Sequence, residues 1–196
     1  MKAEPKWYVA QVLTGSEAET ARRLTEAGME AIAPVQVLHE RRHGVWRLMR
    51  RTVFPGYVFV RVALIPRTYY HIQRQPQVVR LLGGAAPEAV PEEEMAAVLL
   101  FARSGRDFGV SFGERSNGET VITSGPLTAL QERIVKVNPR GRRATVELTV
   151  LGEARRIEVG LVVGRGAPCA GTAPAEQAPG SAGARLIRPR AGRRGT

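Results

Sequence analysis

Apolar and branched residues run from Trp7 to Leu13 as WYVAQVL, which predicts an opening strand. Ser16 stands three residues before Glu19, the spacing of a capping box. Ala18, Ala21 and Leu24 share one helical face and Gly28 falls at the stop, so a helix is expected next. Met29 to Ala33 reads as a second strand. Val35, Val37 and His39, then Val45, Arg47 and Met49, alternate on either side of Arg42-His43-Gly44, which predicts a hairpin. Phe54 to Val62, FPGYVFVRV, enters a further strand through a proline-glycine turn. A short helix over 67–73, a strand over 78–82 and a helix over 91–103 follow. Pro91 opens the last of these, Glu92, Glu93 and Glu94 fill its first turn, and Met95, Val98, Leu99 and Ala102 form its stripe. Strands and helices in this order predict an α+β domain over 1–103, an antiparallel-rich sheet flanked by helices.

The pattern then changes. Residues 104–117, SGRDFGVSFGERSN, are glycine- and serine-rich with little period and are expected to be a flexible linker. Four short strands over 119–123, 133–138, 144–151 and 155–159, separated by turns, predict a small all-β barrel spanning 118–163. The segment 164–196 is alanine, glycine, proline and arginine, with Leu186 and Ile187 almost its only large apolar residues, and disorder is expected there.

Charge narrows the class of partner. Lysine and arginine number 29 against 18 acidic residues in 196, a formal charge of +11, which favours a polyanion. The tail supplies +5 of this through Arg165, Arg185, Arg188, Arg190, Arg193 and Arg194 against Glu176, so the rest of the chain is less basic than the total suggests. No stretch approaches the ~20 apolar residues a membrane helix needs, so a soluble protein is expected, with nucleic acid preferred to lipid. Cys169 is the only cysteine, which rules out an internal disulfide and suits a reducing cytoplasm. His39, His43 and His71 have no carboxylate or cysteine at ligand spacing, so no metal, cofactor or catalytic group is expected. A binding factor remains, and a monomer.

Four stretches occur in a telling order: WYVAQVLTGSE, FPGYVFV, VVRLLGG ahead of the acidic-capped helix, and VITSGPLTALQERIVKVN at the barrel entry. Together, over residues 7 to about 163, the chain resembles the NusG family of transcription elongation factors. The resemblance implies an NGN domain followed by a KOW domain of SH3-like barrel form. It implies that Trp7, Tyr8, Phe54, Pro55, Gly56 and Tyr57 form a hydrophobic depression for the clamp helices of RNA polymerase. It further implies that Val150, Leu151 and Gly152 form the barrel turn that family members offer to ribosomal protein S10 or Rho; family members often carry phenylalanine where this chain has Leu151. The stretches GPLTALQERIVKVNPRGRRA and LGEARRIEVGL look most like the LoaP subgroup, which promotes processive antitermination of long biosynthetic operons. A general elongation or termination factor and a ribosome-associated KOW protein that binds RNA are the alternatives.

Each group of residues also has a plainer reading. Strand aromatics usually face a core, and alternation puts Tyr57 and Phe59 on one face. Arg41, Arg42, Arg47, Arg50 and Arg51 around Trp46 are either a solvated hairpin face or, with Arg140, Arg142 and Arg143, a contact to nascent RNA or an exposed DNA strand. Trp46 either stacks on a base or covers the apolar side of the hairpin.

Overall fold

The computed structural model describes residues 4–83, 86–102, 107–116 and 119–164. The first sheet has the order β2-β5-β1-β6, built from β1 (Lys6–Val12), β2 (Glu30–Ile32), β5 (Tyr57–Val62) and β6 (Val78–Leu81), and all its pairings are antiparallel. Alternation along β1 sorts its side chains between two layers. Tyr8, Ala10 and Val12 join Leu24 of α1 (Glu17–Glu26) and Ile72 of α2 (Pro66–Gln73) on one face. Trp7 and Val9 join Phe59 and, from α3 (Glu92–Leu100), Met95 and Val98 on the other.

The hairpin of β3 (Val35–Arg42) and β4 (Val45–Thr52) turns through His43 and Gly44 at φ 49° and 82°, the pair of positive values that a two-residue type I′ turn requires. It stands apart from the first sheet as a two-stranded unit.

The second sheet, in the order β8-β7-β11-β10-β9, is a half-barrel of five strands: β7 (Ser111–Ser116), β8 (Glu119–Ser124), β9 (Ile134–Asn138), β10 (Arg143–Val150) and β11 (Glu153–Gly164). A 3-10 segment, Pro126–Arg133, buries Leu127 and Leu130 beneath it. This corrects the expectation of a linker over 104–117. Phe108 pairs with Gln36 of β3, and residues 111–116 are the first strand of the barrel. Serine and glycine serve close packing here. Ser111 is fully buried and its Oγ accepts the Leu127 N–H at 2.9 Å, while a Cβ on Gly113 would lie 2.7 Å from the Val121 carbonyl. The expected tail and Cys169 lie outside the described residues, apart from Gly164 at the end of β11.

The two modules share one core. Phe59, Phe54, Phe101 and Phe108 form a chain of ring contacts with centroids 5.1, 6.4 and 4.3 Å apart. The same cluster continues into Leu127, Leu130, Val146, Leu148 and Val159 of the barrel, and α3 packs on β10. No described helix is long and apolar enough to cross a membrane.

Candidate functional site

The proline-glycine turn before β5 is held from beneath. Gly56 has φ 81°, and its N–H donates to the buried Glu17 carboxylate at 2.7 Å; the same carboxylate accepts the Gly15 N–H at 3.0 Å. The capping box expected of Ser16 and Glu19 is absent, and Glu17 instead ties Gly15, ahead of the helix, to the proline-glycine turn. Ser16 makes no side-chain cap, its Oγ donating to the Leu13 carbonyl, and Glu19 pairs with Arg23. Glu17→Ala leaves the Gly56 N–H without its acceptor and is expected to cost about 1–3 kcal/mol. Chemical denaturation measures this, and a change below about 0.5 kcal/mol would show that the carboxylate does not secure the turn.

The six residues assigned to the depression do not share one surface. Trp7 and Phe54 are buried on the α3 side, and Tyr8 is buried on the opposite side of the sheet beneath α1 and α2, which corrects its grouping with the others. β1 is covered on both faces, so neighbouring residues cannot both reach one depression. Phe54 is 6% exposed and locked among Phe59 and Phe101, whereas Tyr57 is half-buried at the rim. What remains is a recess of about 470 Å³ of mixed lining, apolar at Val9, Val53, Phe54, Pro55, Tyr57 and Phe59 and polar at Gln11, Arg80 and Glu88.

The barrel itself closes this recess. Val150, Leu151, Arg155 and Ile157 form its other wall. The β10–β11 turn has Leu151 and Gly152 at φ 52° and 73°; a leucine rarely adopts this left-handed backbone. Glu94 of α3 caps that turn, its carboxylate accepting the Leu151 N–H at 2.7 Å and the Gly152 N–H at 3.3 Å. The Arg155 guanidinium lies 5.5 Å from the Tyr57 ring centroid. Glu94 and Arg155 were missed in the sequence. Their partners lie 57 and 98 positions away, beyond any local pattern.

The hairpin arginines divide by register. Glu40, Arg42, Arg47 and Arg51 belong to one face, and Arg41, Trp46 and Arg50 to the other. Arg51 and Arg42 both bind Glu40, at 2.7 and 3.2 Å, and the Arg51 hydrogen bond, with help from Arg42, holds the Glu40 carboxyl down at about 2. Arg50 is paired with Asp107 at 2.6 Å. Arg41, Arg47, Arg140, Arg142 and Arg143 form no ion pair among the described residues. Arg142 stacks on Trp46, with its guanidinium carbon 4.6 Å from the ring centroid, and His39 meets the same indole edge-on at 6.5 Å. Burial, then Arg142 and Arg143, push the His39 imidazole below its ordinary pKa. No group of acidic, cysteine or histidine residues among those described is arranged to hold a metal.

The described residues thus form an α+β domain followed by a five-stranded half-barrel, joined by one core. The family model for NusG, described as transcription termination factor nusG, matches residues 5–99. The transcription termination/antitermination protein NusG of Pseudomonas aeruginosa is 28% identical over 166 residues, covering 79% of this chain and 94% of that one. Its counterpart in Chlamydia trachomatis is 31% identical over 163 residues, covering 78% and 90%. A solved structure of Thermotoga maritima NusG aligns with a TM-score of 0.49 at 19% identity, over 82% of this chain and 96% of that one. The chain belongs to the NusG family of transcription termination/antitermination factors.

Proposed function

We propose that this chain binds RNA polymerase through the recess at Phe54, Pro55 and Tyr57 and promotes processive elongation or antitermination at selected operons. The observation that carries this reading is the recess itself: a hollow with an apolar floor at Phe54 and Phe59, already walled by an apolar turn, Val150–Leu151, from the same chain. A hollow that accepts one apolar projection suits another, and the clamp helices of polymerase are the occupant that family membership suggests. Phe54 shapes the floor with Phe59, Pro55 and Gly56 set the turn, Tyr57 is the rim contact, Trp7 packs in the core on the α3 side, and Tyr8 supports the sheet from behind. Because Val150, Leu151 and Gly152 are engaged with the recess and Glu94, the barrel has to leave before polymerase enters. The same departure frees that turn for ribosomal protein S10 or Rho. A covered recess favours action at chosen sites, where something opens it. A general termination and elongation factor is the second reading, favoured by the names that the relatives carry. The unpaired arginines of the hairpin and of the β9–β10 turn are the contacts to nascent RNA or an exposed DNA strand.

Tyr57→Ala is the clean test, because Phe54 is part of the core. Polymerase retention by the immobilised chain is expected to fall at least about 10-fold, as for an aromatic hot spot, with unchanged circular dichroism. Equal retention by the wild-type chain and the variant would place the polymerase contact elsewhere.

A further inference from the structure

β10 reaches both ends of the interface between the modules. Its last residue, Val150, walls the recess, and its first, Arg143, lies beside the hairpin; seven residue steps separate them, about 23 Å at strand rise. At the hairpin end β11 approaches β3 so closely that a Cβ on Gly160 would lie 2.9 Å from the Val37 carbonyl. That approach puts Arg142, with its left-handed backbone at φ 55°, onto Trp46, directly across the hairpin from Arg41. Arg142 of one module and Arg41 of the other thus meet at a single indole, with Arg143 near enough to act on His39, and neither they nor Arg140 in the same turn have a carboxylate partner among the described residues. His39 is held toward its neutral form chiefly by burial, with Arg142 and Arg143 adding to the shift.

We propose that the hairpin and the β9–β10 turn form one polyanion-binding face that is complete only while the modules are docked, so that a nucleic-acid strand bound there holds the chain closed. The inference rests on the nucleic-acid reading of these arginines and adds its conformational consequence. Gathering like charges around Trp46 opposes docking, and a phosphodiester backbone spanning both modules reverses the sign of that contribution while releasing counterions. The Trp46 ring is already covered by Arg142, so the face reads phosphates and not bases, and RNA and DNA strands bind it alike. By reciprocity, a ligand that prefers the docked state weakens whatever needs the undocked one. Nucleic acid at this face therefore competes with occupation of the recess without touching it.

The Leu151 amide reports undocking from the far end of β10, since its N–H is bound by Glu94. The probe is a labelled single strand of about 12 nucleotides and mixed sequence, used as RNA and as DNA. Anisotropy gives the dissociation constant, and hydrogen exchange of the Leu151 amide is then followed at about 100 times that concentration, where exchange is expected to slow several-fold, by the ratio of the strand's affinities for the docked and undocked states. Arg142→Gln is expected to flatten the salt dependence by about 0.7 and to weaken the slowing. Glu94→Ala combined with Gly160→Ala, which opens the interface and keeps every arginine, is expected to bind the strand several-fold more weakly. Unchanged Leu151 exchange at saturation in the wild-type chain, or equal binding by that double variant once small-angle scattering shows it open, overturns the proposal and leaves nucleic-acid binding standing. Failure of both strands to bind the wild-type chain overturns the nucleic-acid reading as well, whereas polymerase retention tests the recess separately.

Discussion

Replacing Phe101 by alanine is expected to destabilise the two modules together, by about 3–5 kcal/mol. Phe101 is 1% exposed and sits between Phe54 and Phe108, the ring that carries the apolar cluster from the first sheet toward the segment entering the barrel. Large-to-small changes at such positions lose the transfer free energy of the ring and leave a cavity that rigid neighbours cannot fill. Truncation here also loosens Phe54, which forms the floor of the recess. Denaturant unfolding followed by fluorescence and by circular dichroism should show both signals moving to lower midpoint together. A loss below about 1 kcal/mol, or a shift in one signal alone, would mean that the aromatic chain does not join the modules energetically.

Glu94→Ala is expected to act on the closed state and to spare the fold. Its carboxylate accepts two backbone N–H groups of the barrel turn, one part-buried and one exposed, and charge-assisted bonds of this kind are worth about 1.5–3 kcal/mol. At about 1.4 kcal/mol per factor of ten, the undocked population should rise some 10- to 100-fold. Polymerase retention should increase in the same direction, and the Leu151 amide, which also loses its acceptor, should exchange faster by at least that factor. Faster exchange with no gain in polymerase binding would separate the turn from the recess that we assign to polymerase. Unchanged exchange would show that the apolar contact of Val150 and Leu151 suffices to keep the turn in place.

Much of this was legible in the chain. The strand-helix order of the first module follows from periodicity, and the FPGYVFV punctuation marks the turn that Glu17 secures. Local signals failed where packing used the same residues for another end. The serines and glycines of 107–116 resemble a linker in composition, yet Ser111 and Gly113 are small because strands and the 3-10 segment press against them. Family resemblance grouped Tyr8 with Trp7, whereas the two-residue period of a strand sends them to opposite layers. The docking of the barrel onto the recess had no local signature. It depends on Glu94 meeting Leu151, and on Arg142 meeting Trp46, across separations of 57 and 96 positions, and each of these residues has an ordinary local role that explains its presence.

Phe108 fixes how far the barrel can travel. Its N–H and carbonyl pair with Val35 and Val37 of β3 at 2.8 Å each, and its ring stays against Phe101, so the anchor belongs to the first module. Only Gly109 and Val110 lie between that anchor and β7, a tether of about 10 Å from Phe108 to Ser111 at full extension. A released barrel therefore pivots beside its own docking site at an effective concentration of the order of millimolar or above. Any partner that takes the recess competes against that concentration for as long as it stays, and when it leaves, the chain recloses without a search.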